Sequence, residues 1–177
     1  LGDVYKRQSL RDVNAFHHAY AISEEERSRA RYFLMANSVS QEGAQNIIPY
    51  NPRDGVDALI EALEASADEL LKEYGNPPLI FLSMDSIEFN YREGEVLKLI
   101  SSISAWTRRS GGLSLLVDKL ASPEISERLA SISSTYLRLT RKHGCLLLYG
   151  VKPRTPLYAV KSDTRKGYYQ TKLIPIT

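Results

Sequence analysis

The chain is poor in the residues that build metal and covalent sites. It holds one cysteine, Cys145, and three histidines, His17, His18 and His143. A single thiol closes no internal disulfide, so a disulfide-stapled scaffold is excluded and a reducing, cytoplasmic setting is expected. Cys145 opens the apolar run to Tyr149, which predicts a buried structural thiol and not a nucleophile. His17 and His18 are adjacent and would face opposite sides of a strand; no cysteine or acid lies at zinc-ligand spacing, so a zinc site is not expected. Trp106 is the one tryptophan, and the tyrosines are scattered, a pattern explained by packing better than by base stacking. Nowhere do eighteen apolar residues run together, so no membrane-spanning helix is expected. There is no internal repeat and no low-complexity segment. The phosphate-cradling pattern Gly-x-x-x-x-Gly-Lys-Ser/Thr is also missing, and the one glycine pair, Gly111-Gly112, stands in the wrong place for it.

What is present is ordinary globular composition, 43% hydrophobic and 25% charged over 177 residues, enough for one domain. The formal charge of +2 hides an asymmetry. Residues 54–75 are mostly acidic. From Arg138 to Lys172 nine lysines and arginines face one acid, Asp163. Such a basic edge suits nucleic acid, phosphates or an acidic partner.

The pattern centres on Leu79-Ile80-Phe81-Leu82-Ser83-Met84-Asp85-Ser86, an apolar run behind Pro77-Pro78 that ends in an acid. It predicts a strand over 79–84. A helix before it, about Val56 to Tyr74, is marked by Val56, Leu59, Ile60, Leu63, Ala67, Leu70, Leu71 and Tyr74 and stopped by Gly75. A second helix from Glu93 to Arg109 presents Val96, Leu97, Ile100, Ile103 and Trp106, with residues 86–91 as a loop between. Flanking helices predict a strand buried on both faces of a mostly parallel sheet. Asp85 then stands at its carboxyl end, where α/β sheets bind ligands.

Further strands are expected at 32–36, 47–50 and 113–117, the last closed by Asp118. A short helix over 123–132 has Ser122 as cap and Ile125, Leu129 and Ile132 inward. Strands over 135–141, 145–149, 158–160 and 172–174 read as antiparallel hairpins on one edge. Residues 9–22 fit a strand or a short helix, and Ser23 with Glu26 marks a helix start. Asn37 to Asn46 reads as a loop. Leu1 to Gln8 reads as a non-native or disordered leader, leaving 9–177 as a single α/β domain.

Three stretches, taken in order, resemble the RecA-like ATPases of the KaiC type and their archaeal relatives, the gas-vesicle regulatory ATPases among them. Leu79 to Ser86 is similar to a Walker B strand followed by Asp-Ser. Leu113 to Val117 is followed by a polar loop and a short helix, though Ser134-Thr135 stands where the family has Ala-Asp. Tyr149-Gly150-Val151-Lys152-Pro153-Arg154-Thr155-Pro156-Leu157-Tyr158 looks like the Lys-x-Arg loop that ends such domains. The resemblance spans about 47–177 and implies part of a three-layer domain, N-terminally truncated, with the Walker A loop outside the chain or lost. It implies that Asp85 holds magnesium, with Ser86 assisting, and that Asp118 is a sensor. Lys152 and Arg154 would reach the ATP of a neighbouring subunit in a ring or filament. Two other readings stand beside it: a non-catalytic assembly or regulatory domain, and nucleic-acid binding through the basic 138–172 edge.

Overall fold

The computed structural model describes residues 23–25, 29–35, 47–118, 123–165 and 170–176. Residues 1–22, the cap residues Glu26 and Ser122, and the whole of the 37–46 loop lie outside them. The described chain is an α/β structure with both parallel and antiparallel strands. Strands β1 (Tyr32–Met35) and β2 (Ile47–Tyr50) pair in parallel, as do β3 (Leu79–Ser83) and β4 (Leu113–Val117), with Leu79 opposite Leu113 and Ser83 opposite Val117. Strands β5 (Tyr136–Lys142), β6 (Cys145–Lys152), β7 (Tyr158–Asp163) and β8 (Gln170–Pro175) form an antiparallel meander.

Helix α1 (Gly55–Tyr74) follows a turn in which the Asn51 side chain accepts the Arg53 amide at 3.1 Å. Its end is set by Gly75 at φ 71°, a left-handed cap open to glycine at little cost, whose amide returns to Leu71 O at 2.9 Å. Pro77-Pro78 then forces extended chain into β3. Helix α2 (Met84–Asn90) and helix α3 (Glu93–Ser110) follow β3, and α4 (Pro123–Ile132) follows β4. At the start of α3 the Arg92 amide donates to Glu95 Oε2 at 2.9 Å, one half of a capping box.

The core is the seam where α1, α3 and the inner face of β3–β4 meet. Val56, Leu59, Ile60 and Leu63 of α1 pack with Val96, Leu99, Ile100 and Ile103 of α3, Leu82, Met84 and Ile87, and Ile125 and Leu129 of α4. Each such side chain contributes about 1.5–3 kcal/mol when taken fully from water. Three polar contacts cross the seam: Asp57 to Lys98 at 2.6 Å, Glu64 to Ser102 at 2.7 Å, and Asp68 to Trp106 Nε1 at 2.9 Å. Numbers rise together along both helices, so α1 and α3 run side by side in the same direction; α3 lies in the crossover between the paired strands β3 and β4, whereas α1 joins β2 to β3, which pair in separate two-stranded sheets.

That placement corrects the expectation of a strand buried on both faces. Ile80 and Leu82 point to the helices, but both helices lie on that one side. Leu79 and Phe81 are 57% and 58% exposed, and their partners Leu113 and Leu115 are 66% and 48% exposed. Residues 86–91 are not a loop: α2 begins at Met84, because Met84 and Ile87, three apart, are both drawn into the core. Leu99, and not Leu97, completes the α3 face. Tyr74 and Ile132 sit at helix ends beyond the core and are exposed, Tyr74 lying under the Arg29 guanidinium at 5.6 Å. Arg31 reaches Glu73 at 3.7 Å, so residues 29–31 are tied to the end of α1 just before β1 starts. Cys145 is exposed, not buried, because it opens β6 at the Gly144 turn, outside the packed part of the strand.

Candidate functional site

The carboxyl ends of β3 and β4 carry the acids. Helix α2 starts directly from β3, so Asp85 occupies its first turn, where a carboxylate meets the positive end of the helix. Glu88 follows three residues later on the same side, and Asp118 leaves the end of β4. The three share one electrostatic neighbourhood. The Glu88 carboxyl is pushed above the ordinary glutamate value, first by burial and then by the negative charges of Asp118 and Asp85. Its Oε1 is buried and has no hydrogen-bond partner among the described residues.

Sequence reasoning singled out Asp85 and Asp118 but passed over Glu88. The signal was the Asp85-x-x-Glu88 spacing, visible only if 84–90 is read as helix. Ser86 is exposed on α2, where its backbone carbonyl accepts Asn90 Nδ2 at 2.6 Å. Among the described residues no three His, Cys, Asp or Glu side chains are arranged to hold a metal by themselves. The acids are thus a patch of shared charge and not a closed cage. Nearby phenols contribute no proton near neutrality: burial pushes Tyr50 up to about 12, and Tyr91 is raised by burial and by Glu95.

The basic loop is built separately. Lys152 ends β6 and sends Nζ to the carbonyls of Ala130 and Ser131, at 3.4 and 3.3 Å, on the last turn of α4. A cation there meets the negative end of the helix, worth about 0.3–1 kcal/mol. Gly150 has no room for a side chain: an added Cβ would strike the Pro153 carbonyl oxygen and the Thr155 methyl. The Thr155 hydroxyl accepts the Gly150 amide at 2.7 Å and donates to Pro156 O at 3.0 Å, closing the loop around the cis Lys152–Pro153 bond. Arg154 stands exposed at the turn, bridged through its backbone to Val151. So Lys152 is occupied within its own chain, Thr155 bonds locally, and Arg154 is the outward cation.

No protein-family model matches this chain, and no curated protein is significantly similar to it. Among the described residues no helix is long and apolar enough to cross a membrane.

Proposed function

We propose that the acidic end of β3–β4 is the magnesium- and water-orienting part of an ATP site, in a domain of RecA and KaiC architecture. The supporting observation is that Asp85 and Asp118 converge on Glu88 at the carboxyl ends of two adjacent parallel strands. Ligands of open α/β sheets sit at that edge. Magnesium needs only one or two carboxylates, with phosphate oxygens and waters completing its shell, so an open acidic patch suits it better than a cage. The buried, unpartnered Glu88 Oε1 fits a bound water.

In this reading Asp85 orients the ion through water, and Asp118 adds negative charge from the neighbouring strand. Glu88, its carboxyl raised above the ordinary glutamate value, would hold or accept a proton beside the attacking water. The ion itself, when bound, neutralises charge on the transferring phosphoryl group. Arg154 is the cation that would reach a neighbouring copy's nucleotide, in a ring or filament, and Lys152 holds its loop against α4. A cytoplasmic setting belongs to the same proposal.

A second reading, an assembly or regulatory domain without catalysis, is favoured by a different observation. The sequence has no Gly-x-x-x-x-Gly-Lys-Ser/Thr, and the outer face of β3–β4 exposes Leu79, Phe81, Leu113 and Leu115. Parallel sheets ordinarily have both faces covered.

Manganese bound in place of magnesium, counted by electron paramagnetic resonance, separates the two. The nucleotide reading expects a site that ATP strengthens and that Asp85→Asn weakens about tenfold or more. Manganese affinity unaltered by both ATP and the substitution would leave only the assembly reading.

A further inference from the structure

The antiparallel meander has two unlike faces. Alternation along each strand places Leu137, Leu139, Leu148, Tyr158, Val160 and Leu173 on one side. The other side carries Arg138 and Lys142 of β5, Tyr149 and Cys145 of β6, Lys161 and Asp163 of β7 and Lys172 of β8, with an apolar middle row of Leu147, Ala159 and Ile174 between the Arg138–Tyr149 pair and the lysines. The strand register fixes their arrangement: Arg138 lies opposite Tyr149, Lys142 opposite Cys145, and Lys161 opposite Lys172. Extending the Leu146–Val160 pairing by one residue puts Cys145 opposite Lys161. Lys142, Cys145, Lys161 and Lys172 therefore form one row across all four strands, with neighbouring strands about 4.8 Å apart.

Charge on this face is not self-compensated. Asp163 is the only acid after Glu127. It is already shared between Arg165, at 2.6 Å, and Lys172, at 3.0 Å, and these two hold its carboxyl well below the usual range. Lys161 and Lys172 lie directly opposite each other in the ladder, a like-charge pair that Asp163 relieves at Lys172 and not at Lys161. Four residues along β5 from Lys142, beyond the intervening Thr140–Leu147 pair, the Arg138 guanidinium is flanked by two phenols, bonding Tyr136 Oη at 3.5 Å and also Tyr149. Arg138, Lys142, Cys145, Lys161 and Lys172 are all exposed.

From this face we infer that the β5–β8 sheet binds single-stranded nucleic acid, with phosphates along the lysine row and bases against Tyr149 and the Arg138 plane. A sheet face with a row of cations and, beyond an apolar row, an aromatic ring beside a guanidinium suits an unpaired strand, because every base offers a ring face and every nucleotide a phosphate. The acidic patch at β3–β4 plays no part in this, so the proposal stands or falls apart from the nucleotide reading.

The test uses the single thiol. Cys145 lies within the lysine row, so a bound strand shields it. The whole chain is titrated against a fluorescently labelled oligo(dT) and an oligo(rU), and alkylation of Cys145 is timed with and without the oligonucleotide. With three or four phosphates neutralised, raising salt from 50 to 200 mM should weaken binding about 20- to 50-fold. Alkylation should slow in step with occupancy. K161E and K142E, both exposed, should each weaken binding about tenfold or more, while a charge reversal away from this face, K98E, changes affinity little. Circular dichroism confirms that each variant is folded, and K161Q replaces K161E if it is not. The inference is overturned if neither oligonucleotide binds at low salt, or if binding leaves Cys145 reactivity unchanged. It is equally overturned if polyglutamate or anionic vesicles compete as strongly as the oligonucleotide, for the face would then be a general polyanion or membrane surface.

Discussion

Trp106 is the side chain on which the α1–α3 seam can be tested most sharply. It is 1% exposed, and its indole Nε1 donates to Asp68 Oδ1 at 2.9 Å. Two contributions are separable there. The buried ring carries the hydrophobic part, and truncating a fully buried Trp to Ala costs about 3–5 kcal/mol through lost transfer and the cavity left behind. The polar part is smaller. Asp68 is exposed, so water can take its place at the indole N–H when the carboxylate is removed, and Asp68→Ala should cost about 0.5–1.5 kcal/mol. Trp106→Phe keeps an aromatic ring but loses the donor and part of the volume, and should fall between them, near about 2 kcal/mol. Against a total of about 5–15 kcal/mol for a domain, the alanine variant removes a large share. Urea unfolding followed by far-ultraviolet circular dichroism measures all three, since the tryptophan signal is lost in two of them. A Trp106→Ala cost under about 1 kcal/mol, or an Asp68→Ala cost as large as that of Trp106→Ala, would refute this separation.

Two further outcomes follow from the same geometry. Glu88 has a folded-state pKa raised above its ordinary 4.5, so its stabilising contribution is full below that pH and is lost as pH rises through the folded value. Glu88→Gln should therefore match the wild type at about pH 4 and melt higher at about pH 7.5, in thermal scans at both pH values; equal shifts at both would contradict the assignment. Adjacent residues of β3 should behave oppositely: Leu82→Ala, facing the helices, should cost about 2–5 kcal/mol, and Phe81→Ala, facing out, should stay within about 1 kcal/mol in denaturant titrations.

Much of this was legible in the chain. Repeats of three and four residues located α1 and α3 because each buries one stripe, and Gly75 and Pro77-Pro78 marked where α1 had to stop. The hairpins β5–β6 and β7–β8 were visible as alternation around turn residues. Which side of β3 is covered was not legible. A short apolar run reads alike whether one face or two are packed, and only the parallel course of α1 and α3 decides it. The start of α2 was hidden for a related reason. Seven residues show too little of a helical period, so tertiary burial of Met84 and Ile87 settles their form. Of the site, Asp85 and Asp118 were readable as acids at strand ends, whereas Glu88 depended on the unseen helix. The partner of Lys152 lies some twenty residues away on α4, a contact that local pattern does not encode. The scatter of tyrosines also concealed that strand register brings Tyr136 and Tyr149 to one cation.

The most direct test of the acidic end of β3–β4 as an ion site is a paramagnetic map. Manganese is added in small steps to nitrogen-15-labelled protein, and the loss of each amide signal is followed. The account predicts that the amides of 84–88 and of Asp118 vanish first, and that Asp85→Asn restores them. Early loss anywhere else, or the same loss in Asp85→Asn, would contradict it.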